Sequence, residues 1–250
     1  MDPQISIITI SFNNKVGLEK TIQSVINQSY KNIEYIIIDG NSSDGSINSI
    51  EKFDSKITYW ISENDGGISD AFNKGIAQSH GEWLIFMNSG DVFYSLEILE
   101  DVVRSGVLDL NKSLLFYGKI ILLNDRNQQF TFGDTFNIKE FEKRMTICHQ
   151  SAFFHIEYFN KYGLFDNKFK LAMDYELLLR PNKFDYIFFD KIISIMETGG
   201  VSQKNTINVF KEYLIAKLLH SNKSIFRINL EYFYSVCIYK ILILFRKWKL

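Results

Sequence analysis

Short, almost unbroken apolar runs alternate along this chain with stretches in which apolar residues return every three or four positions. Ile5-Ser6-Ile7-Ile8-Thr9-Ile10 is the first run, and its β-branched residues predict a buried strand. From Val16 to Gln28, Leu18, Ile22, Val25 and Ile26 share one helical face. Tyr35-Ile36-Ile37-Ile38 predicts a second strand, a short helix follows at about Ser46 to Phe53, and Ile57-Thr58-Tyr59-Trp60-Ile61 predicts a third strand. Ile68, Ala71, Phe72, Gly75 and Ile76 mark another helix before the fourth strand, Trp83-Leu84-Ile85-Phe86-Met87.

Strands that are apolar throughout, separated by amphipathic helices, predict an α/β fold with a mostly parallel sheet and helices on both faces. Right-handed crossovers then point all four strands the same way. Ser11–Asn14, Asp39–Gly45, Glu63–Gly67 and Asn88–Asp91 all follow strand C-termini, the edge at which open α/β sheets bind ligands. Four polar loops, three of them bearing glycine and carboxylates, should therefore meet at one crevice.

Beyond Asp91 the pattern loosens. It predicts a helix over Leu96–Leu110, a hairpin of Leu114–Leu123 with Gln128–Phe132, and a strand over Ile147–Phe154. A helix at Met173–Arg180 is ended by Pro181, and a strand spans Tyr186–Met196. Helices at about Thr206–Leu219 and Ile225–Phe245 close the chain. The expected organisation is a first half over 1–95, a second half of the same domain over 96–202 and a helical extension over 203–250.

With 250 residues, 46% hydrophobic and 23% charged, the chain can bury a substantial core and is not disordered. A net charge of −1 gives no global field to recruit nucleic acid, and no nucleic-acid partner is expected. Cys148 and Cys237 form no CxxC pattern and read as reduced thiols. Met1-Asp2-Pro3-Gln4 lacks the basic and apolar regions of a signal peptide, so a cytoplasmic protein is expected.

Acidic loops host a phosphate poorly unless a divalent cation lies between them. Mg²⁺ and Mn²⁺ use one or two carboxylates and take further oxygens from substrate phosphates and water. Asp91 at a strand end suits that role, and Gly90 leaves room for a diphosphate; the plain alternative is a turn closing a strand.

The ordered segments ISIITISFN, IIIDGNSSDG, ENDGGISDAFNKGI and FMNSGD resemble family 2 glycosyltransferases of the GT-A (Rossmann-like) fold, with a likeness to the bacterial surface-polysaccharide, colanic-acid-type subgroup. The resemblance is strong over the first ~95 residues, within the span that a Rossmann-like nucleotide-binding half takes. It implies that Asp91 stands at the last acidic position of the family's DxD segment and is the protein ligand of Mn²⁺ or Mg²⁺. Asn88 and Gly90 replace the upstream acids. It also implies nucleotide contacts from Thr9, Ser11, Asn13, Asp39, Lys74 and Ser89, with Asp39 accepting from the base. Asp39 could instead brace its own loop through an Asx turn, Asp44 reads as a helix cap, and Lys74 could simply pair with Asp70.

FKLAMDYELLLR resembles a variant of the family's ED motif and implies that Asp174 is the base of an inverting transfer, with Glu176 second; Asp174 could also only cap its helix. CHQSAFFH resembles the segment on the acceptor side, so His149, Gln150 and Glu176 are expected near donor sugar or acceptor. Strand alternation would put His149 and Gln150 on opposite faces. ETGGVS resembles a loop near the active site, whose glycines hinge a lid or merely end a strand.

The tail EYFYSVCIYKILILFRKWKL is aromatic, apolar and basic. Lys240 interrupts it, so a spanning helix is not expected. Residues 225–250 form either an amphipathic helix on an anionic leaflet, placing the protein at the cytoplasmic face of the inner membrane, or a helix packed on the domain. The expected function is transfer of a sugar from a nucleotide-sugar, a UDP-sugar by preference, to a polysaccharide or lipid-linked oligosaccharide. The competing readings are a sugar nucleotidyltransferase and a non-catalytic binding module. The first would want a glycine-rich, basic phosphate loop, which SFNNKVG lacks.

Overall fold

The computed structural model describes residues 2–124 and 126–247. Asp125 of the expected hairpin turn and Trp248, Lys249 and Leu250 of the basic tail lie outside the described residues.

The first half alternates as the pattern demands: β1 (Ile5–Ser11), α1 (Lys15–Ile26), β2 (Ile33–Asp39), α2 (Ser46–Lys52), β3 (Tyr59–Ser62), α3 (Ile68–Ala77) and β4 (Trp83–Phe86). A two-residue strand β5 (Val92–Phe93), α4 (Ile98–Arg104), the hairpin β6 (Leu115–Leu123) and β7 (Gln129–Phe132), and a short α5 (Ile138–Phe141) follow. Then come β8 (Ala152–His155), α6 (Ile156–Tyr162), α7 (Met173–Leu179), β9 (Ile187–Glu197), α8 (Val201–Lys204), α9 (Thr206–His220) and α10 (Ile225–Lys247).

The described residues form one sheet in the order β3-β2-β1-β4-β8-β6-β9-β5, with β7 paired to β6. β1, β2, β3 and β4 are mutually parallel. β8 enters antiparallel between β4 and β6 and joins the two halves of the chain, while β6 and β9 run parallel again.

Period-two alternation splits the strand residues between two cores. Ile5, Ile7, Tyr35, Ile37, Trp83 and Ile85 pack with Leu18, Ile22 and Val25 of α1, Ile50 of α2 and Leu99 of α4. Ile8, Ile36, Ile38, Leu84 and Phe86 face the other way, onto Phe72 and Ile76 of α3, Tyr158 of α6 and Leu177 of α7. Both faces are covered, which is why these strands read as continuous apolar runs.

Register sets the functional edge. Ser11 pairs with Asp39 and Asp39 with Ser62, so three strand tips lie in a row. Past β4 the chain still follows β1, because the Met87 and Ser89 N–H groups donate to the Ile8 and Ile10 carbonyls. The loop from Asn88 to Asp91 is thereby laid beside the end of β1.

The expected strand over Ile147–Phe154 is a correction: His149–Ser151 make a single 3₁₀ turn, and only Ala152–His155 pair as β8. The turn closes when Ser151 N–H, and its Oγ–H, donate to the Cys148 carbonyl. The helix expected over Leu96–Leu110 is confined to Ile98–Arg104.

Candidate active site

A cleft of about 1190 Å³ opens at the C-terminal edge of β1 and β4. Ser11, Phe12, Asn14, Asp65, Asn88–Asp91, Cys148–Gln150, Lys170 and Asp174 line it, and Glu197 to Ser202 border it after β9.

The loop after β4 is fixed by α1. Thr21 Oγ–H donates to the Asp91 carbonyl at 2.8 Å, and Gly90 N–H donates to Thr21 Oγ at 2.9 Å. Asn14 caps α1 through Oδ1, and its Nδ2 donates to the Ser89 carbonyl at 2.9 Å. Ser89 Oγ returns a bond to the Asn14 carbonyl. Gly90 has φ +109°, a left-handed conformation that a side chain would strain, which accounts for a glycine there.

Asp91 is 6% exposed. Its Oδ2 accepts from Asn88 N–H at 3.2 Å and from Gln150 Nε2–H at 3.1 Å. Burial nevertheless dominates and pushes its carboxyl up to about 6, because charge is disfavoured away from water. Such a carboxylate is poised to gain a cation.

Across the cleft, Asp174 sits in the first turn of α7. Its Oδ1 accepts from Tyr175 N–H at 2.8 Å, and its Oδ2 lies 3.3 Å from Nδ1 of His149. His149 Nε2 lies 3.1 Å from Nδ2 of Asn88. An amide NH₂ has only hydrogens to offer, so Nε2 accepts and the ring proton sits on Nδ1, directed at Asp174. Asp174, His149, Asn88, Asp91 and Gln150 thus form one polar chain spanning the cleft. Cys148 is held neutral in the same wall, its thiol pushed up by burial with Asp174 and Asp91 adding to the effect.

The segment leading into α7 is held from the far side by α9. Glu212 accepts three backbone N–H groups, from Lys170, Leu171 and Ala172, at 3.0, 2.9 and 2.8 Å. The Tyr213 ring meets that of Tyr175 at 4.4 Å, tilted by 49°. Lys170 Nζ reaches the Gly66 carbonyl at 2.6 Å, tying this approach to the loop after β3. None of Phe12, Asn14, Asp65, Lys170, Glu197 or Glu212 is singled out by the sequence reading. Phe12 had one legible signal, an aromatic among polar residues at a strand end.

Of the residues expected at the site, Ser11, Ser89, Asp91, His149, Gln150 and Asp174 line the cleft. Four others, and the side chain of Asn13, are placed elsewhere. Thr9 is fully buried with its hydroxyl on Tyr35. Asp39 is fully buried and engaged by Ser42 N–H, Ser42 Oγ–H and Ser62 Oγ–H, the loop-bracing alternative. Asn13 accepts from Ser43 N–H and takes up the turn at φ +48°. Lys74 pairs with Glu63 at 2.6 Å and Asp70 at 3.7 Å, and the Glu63 carboxylate raises its ammonium. Glu176 is 2% exposed and clasps Arg180 and His220, with His220 Nε2 at 2.6 Å, on the side of α7 away from the cleft. Two residues from Asp174 is about 200° around a helix, which is why both cannot face the same space.

Asp44 braces two helices, accepting from Ser46 N–H and from Lys15 N–H.

Among the described residues no three His, Cys, Asp or Glu side chains gather to hold a metal by themselves. The donors present do fit a metal that keeps most of its ligands from substrate and water. Besides Asp91, the buried Oδ1 of Asn88 has no hydrogen-bond partner and is a free oxygen donor in the same loop.

Comparison with known proteins gives the same answer. Residues 6–163 match the family described as glycosyl transferase family 2. An uncharacterized glycosyltransferase of Mycobacterium tuberculosis is 35% identical over 182 residues, covering 71% of this chain and 68% of that protein. A PGL/p-HBAD biosynthesis glycosyltransferase of Mycobacterium bovis is 27% identical over 219 residues, covering 85% and 83%. In fold, TarS of S. aureus, solved with UDP, superposes with a TM-score of 0.65 at 18% identity, covering 92% of this chain and 69% of that one. The mannosyltransferase PcManGT of Pyrobaculum calidifontis, solved with GDP-Man and Mn²⁺, gives 0.68 at 13% identity, covering 93% and 70%. With the sheet, the cleft at its carboxyl edge and these likenesses together, the chain belongs to glycosyl transferase family 2 and is a glycosyltransferase of the GT-A fold.

Proposed function

We propose that the cleft binds a nucleotide-sugar, a UDP-sugar by preference, and transfers the sugar with inversion to a hydroxyl of a polysaccharide or lipid-linked oligosaccharide. The biological setting would be bacterial surface-glycan assembly, of capsule or O-antigen type, at the cytoplasmic face of the membrane. One observation carries the reading: Asp91 and Asp174 line one cleft and are joined through Asn88 and His149.

The division of labour follows from the walls. Phe12, 66% exposed beside Gly40 and Asp65, offers a face for a base and an acceptor carboxylate at its edge. Ser11 Oγ is buried without a partner at the same strand tip and is available to the nucleoside. The Ser89–Gly90 backbone and Lys170 receive the diphosphate. Asp91 and Asn88 would hold Mn²⁺ or Mg²⁺, which when bound neutralises charge on the leaving diphosphate. Residues 1–95 would serve the donor and residues 96–202 the acceptor.

On the opposite side, Asp174 takes the proton of the acceptor hydroxyl as that oxygen attacks the anomeric carbon. The bond from that carbon to the diphosphate oxygen breaks, and the nucleoside diphosphate departs with the electron pair. His149 holds the Asp174 carboxylate in line for this transfer. The Thr198–Gly200 segment between β9 and α8, with its two glycines, would close over the donor.

Thermal shift with UDP, GDP and Mn²⁺ tests the donor assignment. UDP should raise the melting temperature, and more with Mn²⁺ than without. No response to either nucleotide would contradict the reading. Hydrolysis across a nucleotide-sugar panel then identifies the sugar, and the anomeric configuration of the product reads inversion.

A further inference from the structure

Helix α10 leaves one side bare. It packs through Ile228, which is 2% exposed, and through Tyr239, whose ring meets Phe210 of α9 at 6.0 Å. Glu231 on the same side accepts from Lys217 at 3.1 Å and from Lys223 at 3.0 Å. Burial lowers the Lys217 ammonium; burial also pushes the Glu231 carboxyl up, but hydrogen bonds from Lys223 and Lys217 outweigh it and hold the carboxyl below its ordinary range, so this cluster anchors α10 on α9.

Phe226, Leu230, Phe233, Tyr234, Ile241 and Leu244 lie on the far side, with Phe226 79% and Phe233 66% exposed. At 100° per residue these six fall within an arc of about 100°, opposite Ile228 and Ser235. The stripe is thus continuous along the helix and contains no charged residue, and Ile225 and Leu242, 70% and 56% exposed, extend the apolar surface beyond it.

Its borders are charged with one sign. Arg227 and Lys240 are exposed beside the stripe. Over residues 221–250 the sequence holds Lys223, Arg227, Lys240, Arg246, Lys247 and Lys249 against a single acid, Glu231, which is turned to the packed side. Arg227 Nε lies 3.5 Å from Glu231, the single acid of α10, so a second copy docking through this face would set cations against cations with no further acid on the helix to answer them. No helix among the described residues is long and apolar enough to cross a membrane. Apolar and aromatic residues bordered by cations match instead a helix lying in the plane of an anionic bilayer surface.

We infer that the Phe226–Leu244 face of α10 docks this enzyme on anionic lipid, with the aromatic stripe in the headgroup region and Arg227 and Lys240 on lipid phosphates. The inference rests on the lipid-side setting proposed above, and it adds the face, the residues and the lipid charge. Through α9 it also has a mechanical consequence. The helix that would lie on lipid is pinned by Lys217 to α9, the helix whose Glu212 holds the approach to Asp174. The catalytic helix is thereby referenced to the lipid surface.

The test is co-sedimentation of the full chain with phosphatidylcholine vesicles and with vesicles carrying 30 mol% phosphatidylglycerol, at low and high salt. Binding is expected to the anionic vesicles and to fall with salt. Phe226→Gln with Phe233→Gln and Ile241→Gln should weaken it at least tenfold. Lys240→Glu, an exposed substitution that leaves the packed side alone, should weaken it about fivefold or more. Circular dichroism melting shows that the variants remain folded. Equal binding of wild type and Lys240→Glu, or no wild-type binding to either vesicle, would overturn the inference. So would a wild-type dimer that the triple variant converts to a monomer without any vesicle binding. No donor is present, so vesicle binding without a UDP response would sink only the donor assignment, and the reverse only the docking face.

Discussion

His149 Nδ1 lies 3.3 Å from Asp174 Oδ2 while the other ring nitrogen accepts a hydrogen bond from the side-chain amide of Asn88, three residues before Asp91. One imidazole therefore orients the proposed base and ties it to the loop that would hold the diphosphate. A carboxylate so held loses rotational freedom before any acceptor arrives.

Replacing His149 by alanine should accordingly lower kcat by about 10²-fold while leaving the donor KM within a few-fold. Steady-state kinetics separates the two. A raised KM at unchanged kcat would instead put His149 on the substrate, the role its sequence resemblance implies.

Glu212 is expected to matter although it touches no cleft space. Glu212→Gln weakens three charge-assisted bonds to the segment before α7. It should cost about 2 kcal/mol in urea unfolding and slow turnover through misplacement of Asp174. An unchanged unfolding midpoint would show that the segment holds itself.

Glu176 provides the contrast. Glu176→Leu leaves Arg180 without its carboxylate in a half-buried setting and should destabilise by about 3–5 kcal/mol. Below its melting temperature the variant should still respond to UDP in thermal shift. Loss of that response in a folded variant would return Glu176 to the substrate site.

Asp91 predicts a pH dependence. Burial raises its carboxyl from 3.8 to about 6, so ionising it costs folding stability. The cost is absent below about pH 4, grows as pH rises toward 6 and is complete above. With a chelator present, Asp91→Asn should be more stable than wild type by roughly 2–3 kcal/mol at pH 7.5 and indistinguishable from it near pH 4. Denaturant titrations across that range test this, and parallel stability curves would contradict it.

Three of the first four strands were legible because nearly all of Ile5–Ile10, Tyr35–Ile38 and Trp83–Met87 is buried on both faces, which leaves an unmistakable apolar run. Once those strands are parallel, the convergence of Ser11, Ser89 and Asp91 follows from topology alone. Direction at a strand tip does not follow. Thr9 and Asp39 are polar residues at the right height, but Tyr35 and Ser62 on neighbouring strands claim them. His149 and Gln150 were separated by strand alternation, whereas the 3₁₀ turn brings both to the cleft. Glu212 could not be found from sequence, since its partners lie about 40 residues away and are backbone groups.

The account stands on Asp174 acting across the cleft from a nucleoside diphosphate held beside Asp91. Its most direct test is Asp174→Asn, assayed for sugar transfer and, separately, for UDP binding in the presence of Mn²⁺. The account predicts that transfer falls by about 10²–10⁴-fold while UDP affinity stays within a few-fold of wild type. Transfer at the wild-type rate would contradict it.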